Sequence, residues 1–322
     1  MQSSKPSKHI FTHRHFYALV GGLCLLLAGL LLALHFTRIP AQQASSAQQA
    51  PKTTQPKPFT FPGGSRTLVP DYRFVALYGS PDAPVLGVLG EQDIPATMKR
   101  VKEVSEQYAP LSDKPIYPTL EIIASIASAS PTENGDYSRE LDAAQLQPWV
   151  EAAKDAGVYI ILDLQPGRTD FLTQAKQYEQ LLREPHVGLA LDPEWRLAPD
   201  QVHMKQIGRV SIEEVTSVST WLADLTKQHK LPQKLFVLHQ FRVSMLQGRE
   251  RLDTSRNELA YVIHIDGQGS QPQKNATWRT LTASPPPNVS WGWKNFIDED
   301  KPMLSPEQTM QVTPVPTLVT YQ

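Results

Sequence analysis

The chain lacks most of the features that announce a function directly. It has one cysteine, Cys24, which excludes an intrachain disulfide framework and a thiolate-based zinc site. Its 31 Lys and Arg against 32 Asp and Glu leave a net charge of −1, so no basic field marks a nucleic-acid partner. No G-x-G-x-x-G follows the first apolar run of the folded part, which removes the commonest dinucleotide-binding use of an α/β sheet. No clear internal repeat is present. Long hydrophobic runs are missing too, with one exception.

That exception is YALVGGLCLLLAGLLLALHF, residues 17–36. About 20 apolar residues suffice to span a bilayer as a helix. Residues 1–16 contain Lys5, Lys8 and Arg14 and no acid, a flank that favours a cytoplasmic N-terminus. The run therefore reads as a retained transmembrane anchor, with a cleaved signal segment as the rival. No small-x-small cleavage site follows it directly, and Cys24 sits mid-run behind Leu23 rather than behind a small residue. Residues 37–70 are rich in Gln, Ala, Ser, Pro, Thr and Lys and bury too little apolar surface to fold, so they read as a flexible linker. The folded domain is expected over residues 71–322, outside the cytoplasm, or secreted if the segment is cleaved.

In that domain short apolar runs alternate with helical patterns. RFVALYG (73–79), TLEIIASIA (119–127), VYIILDL (158–164), VGLALD (187–192), KLFVLHQF (234–241), LAYVIHID (259–266) and VSWGW (289–293) read as strands. Several are apolar almost throughout, as parallel strands covered on both faces require. Residues 94–108, 141–157, 170–184 and 211–230 carry helical periodicity. Gly157 is placed to cap the second of these, and Ser211 with Glu214 forms a capping-box pattern at the last. Repeated strand–helix units over about 250 residues match a (β/α)8 barrel, with PTLVTYQ (316–322) as the eighth strand or with that strand degenerate. An open doubly wound sheet is the alternative.

The ends of these runs are polar. Alternate residues of a strand share a face. Gly188, Ala190, Asp192 and Glu194 form one set and Val187, Leu189 and Leu191 the other. With the aliphatic set under the helices, Asp192 and Glu194 emerge at the carboxyl end of the fourth strand, where barrel enzymes build their sites. The third strand ends in Asp163 and Gln165, the fifth in His239 and Gln240, the sixth in His264 and Asp266, and the seventh in Trp293 and Lys294. Glu121 lies near the start of the second run and is a weaker candidate. Two acids at one cleft push their pKa values apart and supply one acid and one base, as glycosidic bond cleavage requires. Trp195, Trp291 and Trp293 offer flat platforms for sugar rings.

GLALDPE resembles the fourth-strand signature of chitinase-like, family 18 glycoside hydrolases, D-G-x-D-x-D-x-E. Gly188, Asp192 and Glu194 match its glycine, last aspartate and catalytic glutamate, while Val187 and Ala190 stand where it has its first two aspartates. The D-x-E pair is similar to that of muramidase-like barrels. The resemblance implies hydrolysis of a cell-envelope or environmental polysaccharide, with Glu194 and Asp192 as catalytic acids, and the strand-end position of Asp266 adds it as a third. Asp163, Gln165, His239, Gln240, His264, Trp195, Trp293 and Lys294 would then bind substrate. No cofactor and no metal are expected, because the histidine spacing carries no metal motif. A non-catalytic barrel that binds glycan or protein, or a metal-dependent hydrolase using the histidines, remains the alternative. For the acids themselves, a structural ion pair with Arg168, Arg196 or Arg242 is the plainer reading.

Overall fold

The computed structural model describes residues 59–322, and the apolar run at 17–36 and most of the linker lie outside them. Among the described residues no helix is long and apolar enough to cross a membrane.

Eight parallel strands close on themselves. They are β1 (Arg73–Gly79), β2 (Ile116–Ala127), β3 (Tyr159–Leu164), β4 (Val187–Leu191), β5 (Lys234–His239), β6 (Leu259–Ile265), β7 (Val289–Asn295) and β8 (Leu318–Tyr321). Each pairs with the next, and β8 returns to β1 through Phe74 opposite Leu318 and Leu77 opposite Tyr321. The ring is a (β/α)8-type barrel, and the open-sheet alternative falls away. All eight strands coincide with runs that the sequence marks.

The helices cover the outside unevenly. α1 (Ile94–Glu106), α2 (Ala143–Ala156) and α5 (Ile212–Gln228) are full crossovers. The pattern at 170–184 breaks into α3 (Phe171–Gln177) and α4 (Glu179–Leu182), because Tyr178 leaves the helical region and donates its hydroxyl to the Ala124 carbonyl at 2.7 Å. α6 (Gln271–Thr282) follows β6 and the short α7 (Pro306–Met310) follows β7. Between β5 and β6 the chain makes only 3₁₀ turns and a two-residue strand. Gly157 caps α2 at φ 68° as expected. The capping box expected at Ser211 is only half formed. Ser211 accepts the Glu214 N–H, but the Glu214 carboxylate turns away to take the Phe171 N–H at 2.9 Å and Arg196 at 3.0 Å.

Strand alternation sorts the two cores. Val187, Leu189 and Leu191 pack outward with Val75, Leu77, Ile160, Leu162, Phe236 and Leu238 under the helices. Phe74, Ala76, Tyr117, Tyr159, Ile161, Ala190, Leu235, Val237, Ala260, Val262 and Leu318 fill the interior. Residues 59–70, assigned to the linker on composition, carry four large apolar residues, Phe59, Phe61, Leu68 and Val69. Phe61 and Leu68 are fully buried, and Phe61 meets Tyr72, Tyr117 and Tyr159 edge-on or tilted, with ring centroids 6.0–6.3 Å apart. The barrel is thus stoppered at its amino-terminal end by aromatic rings.

Candidate active site

Two residues beyond the apolar interior, the same inward positions turn polar. Register aligns Tyr78 of β1 with Glu121 of β2, Asp163 of β3 with Ala190 of β4, His239 of β5 with His264 of β6, and Lys294 of β7 with Thr320 of β8. Asp192 and Asp266 follow on the same faces one step higher. Gly292 makes room for this layer, since a Cβ there would stand 2.6 Å from the His264 ring.

The layer is knitted through His239. Its Nδ1 lies 2.8 Å from Asp266 Oδ2 and its Nε2 lies 2.8 Å from Glu121 Oε1. Tyr78 donates to Asp163 Oδ2 at 2.8 Å, and His264 Nε2 is 3.0 Å from Thr320 Oγ1. The Lys294 ammonium sits 3.3 Å above the centre of the Tyr78 ring, a cation–π contact. Burying this many polar groups is costly unless they are paired. Among the described residues, four buried atoms here have no hydrogen-bond partner: Glu121 Oε2, Asp163 Oδ1, His264 Nδ1 and Asp266 Oδ1.

Above the layer opens a cavity of about 770 Å³. Of the sequence-predicted site residues, Gln165, Asp192, Glu194, Trp195, Asp266 and Lys294 line it. Asp163, His239 and His264 are fully buried beneath its floor. Gln240 and Trp293 are not brought to the cavity, for one reason: each neighbours an inward residue, His239 or Lys294, so alternation sends it outward. Gln240 accepts from Arg249 at 2.8 Å and donates to the Arg242 carbonyl. Trp293 packs on Trp278 with centroids 5.3 Å apart and bonds Asn295 at 2.8 Å. Trp291 packs on Trp278 as well. Tyr78 and Glu121 belong to the layer although sequence reasoning passed over or discounted them. The signal for Tyr78 was its shared parity with Phe74 and Ala76.

The turn that carries Glu194 is held on every side. Asp192 accepts the Glu194 N–H at 3.1 Å and so starts the 3₁₀ turn Pro193–Trp195. Arg196 reaches Glu214 on α5, and the Leu197 N–H reaches the Gly167 carbonyl at 2.7 Å. The Gly208 N–H donates to the Glu194 carbonyl at 2.7 Å, so close that a Cβ on Gly208 would collide with the carbonyls of Pro193, Glu194 and Arg196. None of the arginines invoked as ion-pair partners forms a salt bridge with Asp192 or Glu194, although the charge of Arg242 acts on Glu194. Arg196 takes Glu214, Arg168 bonds the Gln201 carbonyl and lies over the Tyr137 ring, and Arg242 lies over Phe241. Past Glu194 a second hollow of about 380 Å³ continues between Trp195, His203, Met204, Lys205, Gln206, Ile207 and Arg242. Glu194, Trp195, Met204 and Arg242 line both hollows.

Electrostatics separates the acids. Burial, reinforced by the charge of Asp266, pushes the Glu194 carboxyl up to about 7. Burial raises Asp163 to about 6 against the pull of His239, and it raises Asp192 well above the usual carboxylate range. Asp266 moves the other way: burial opposes ionisation, but the bond and charge of His239 hold it below its ordinary value. Burial alone would strip His239 of its proton; the charges of Asp163 and Glu121 and the bonds to Asp266 and Glu121 outweigh that and hold it well above the usual imidazole range. Burial and the neighbouring cations His239 and Lys294 keep His264 neutral.

Fold and site together define a barrel with an acidic, half-enclosed mouth. Among solved structures the chain is similar to a xylanase and α-amylase inhibitor protein, XAIP-III, at 11% identity, covering 77% of this chain and 92% of that one with a TM-score of 0.44. It is similar at the same identity and coverage to XAIP-II from Scadoxus multiflorus, TM-score 0.43. D-psicose 3-epimerase, determined in the presence of D-fructose, matches at 8% identity over 77% of this chain and 84% of that one, TM-score 0.41. Likeness at this level carries no chemistry across. No family model matches the chain, and no curated protein matches it.

Proposed function

We propose that the chain is a glycoside hydrolase acting on a cell-envelope or environmental polysaccharide. The observation that carries this reading is the position of Glu194. Glu194 lines two adjoining hollows, and its carboxyl holds its proton to about pH 7. A polymer lying along both presents a linkage, not an end, to the acid. Glu194 donates its proton to the leaving glycosidic oxygen, as a carboxyl with a raised pKa can do at neutral pH. Asp266, ionised beside protonated His239, faces the positive charge that develops on the sugar ring. Asp192 holds the Glu194 turn by accepting its N–H. Trp195 and Phe241 supply apolar walls, and Lys294 and Arg242 supply donors to sugar oxygens. Asp163 stands beside Ala190, where the family 18 signature has an aspartate, so an acid occupies that level from the neighbouring strand.

Tethering to a membrane through residues 17–36, with the barrel outside the cytoplasm, belongs to the same proposal and rests on the basic flank and apolar run alone. The test is release of reducing ends from cell-wall and chitin-type polysaccharides by the purified full chain. Activity that vanishes in Glu194→Gln supports the reading. A chain that binds these polymers and leaves them intact is a binding module and overturns it.

A further inference from the structure

The four unpartnered atoms are not scattered. Three of them, Glu121 Oε2, Asp163 Oδ1 and His264 Nδ1, gather on one side of His239. Glu121 Oε1 lies 2.8 Å and Asp163 Oδ1 3.8 Å from His239 Nε2, and Glu121 Oε2 lies 3.7 Å from His264 Nδ1. One ligand atom each from Glu121, His239 and His264 falls within 4.8 Å of the others. Donors about 2.1 Å from a common cation stand roughly 3.0–3.4 Å from one another in octahedral or tetrahedral geometry. The observed separations bracket that range.

The far side of each side chain is also held. His239 Nδ1 meets Asp266, His264 Nε2 meets Thr320, and Asp163 Oδ2 accepts from Tyr78. Metal-binding imidazoles are oriented in this way, with the other ring nitrogen fixed by a carboxylate or hydroxyl. All four side chains are fully buried, so the pattern differs from a solvated acidic cluster. A second grouping of Asp192, His239 and Asp266 shares the same imidazole, but it contains one unpartnered atom against two.

We infer that Glu121, His239 Nε2 and His264 Nδ1 form a binding site for one divalent transition-metal cation beneath the floor of the cavity, with the Asp163 carboxylate beside them, 3.8 Å from His239 Nε2. Two carboxylates neutralise the cation, and two imidazoles favour a borderline ion such as Zn²⁺ or Mn²⁺ over Mg²⁺ or Ca²⁺. The cation takes the place of the proton that otherwise lies between His239 and Glu121. It ties β2, β5 and β6 together across the barrel and fixes the imidazole on which Asp266 rests. The site stands whether or not the cleft above it cleaves glycans.

The test uses the full chain, purified without a histidine tag, stripped of metal, and titrated with Zn²⁺, Mn²⁺ and Co²⁺. One ion per chain is expected, with a rise in melting temperature and, for Co²⁺, a visible absorption band reporting imidazole ligation. His264→Gln and Glu121→Gln should each weaken binding ten-fold or more and abolish the cobalt band. Wild-type chain that takes up none of the three ions, or binding that survives both substitutions, overturns the site. Should a variant fail to fold, the wild-type cobalt titration decides alone: a one-to-one imidazole-type band upholds the site and its absence refutes it.

Discussion

The two ends of the barrel are built from the same strands and differ in almost every physical respect. At the amino-terminal end Phe74, Tyr117, Tyr159 and Leu235 point inward and Phe61 closes over them. Rings meet edge-to-face or tilted at 5.7–6.3 Å, a packing worth more than its buried area alone. At the carboxyl-terminal end the inward positions are Tyr78, Glu121, Asp163, His239, His264 and Lys294, and several of their atoms lack partners. A few residues along each strand separate these regimes. The lower end stabilises the ring, and the stability it contributes is what tolerates buried charge at the upper end.

The sharpest way to break that comparison is to damage each end separately. Glu194→Gln is expected to reduce kcat by about 10²–10⁴-fold, the usual contribution of a positioned proton donor, with circular dichroism unchanged. Phe61→Ala is expected to do the reverse: a loss of about 3–5 kcal/mol of stability from the cavity left behind, read by denaturant unfolding, with kcat per folded molecule intact. Equal effects of both substitutions on activity would mean that the two ends are one functional unit.

The division was partly legible in the sequence. All eight strands announced themselves as apolar runs, and Gly188, Ala190 and Asp192 revealed their inward face by small size. Parity was available but not applied throughout, since His239 with Gln240, and Trp293 with Lys294, cannot both face the cavity. Glu121 was discounted because it lies near the start of the apolar run at 119–127. The strand in fact runs through Pro118, paired with Val75 of β1, which puts Glu121 mid-barrel at the level of Tyr78. No local pattern carries that information, because it depends on long-range register. Nor did composition reveal that Phe61 and Leu68 plug the barrel, since a few apolar residues spaced among Gly, Pro, Ser and Thr look like linker until a cavity exists for them.

Subtler changes sharpen the contrast. Gly208→Ala leaves every site side chain in place but pushes the turn bearing Glu194. It is expected to lower kcat roughly 10–100-fold, the penalty of misplacing a catalytic group by about 1 Å, and to lower the melting temperature as the backbone gives way to the added methyl. The pH dependence follows from the same carboxyl. Glu194 must carry its proton to act, so kcat/KM should fall as pH rises through about 7. The stability effect has a matching sign. A carboxyl whose folded pKa lies above its unfolded one favours folding at low pH, and that contribution is lost as pH rises through the folded value. Glu194→Gln removes the cost of ionisation and should raise the melting temperature at pH 8 by about 2–4 °C, the shift that about 1 kcal/mol produces near this size, with no gain at pH 4.

A crystal structure of the full chain carrying Glu194→Gln, soaked with a chito-oligosaccharide or peptidoglycan fragment, tests most directly whether Glu194 divides a single glycan cleft. Sugar rings are expected on both sides of residue 194, one run over the floor formed by Asp192, Asp266 and Lys294 and the other between Trp195 and the 203–207 loop. Rings confined to one hollow, or bound only away from residue 194, would contradict it.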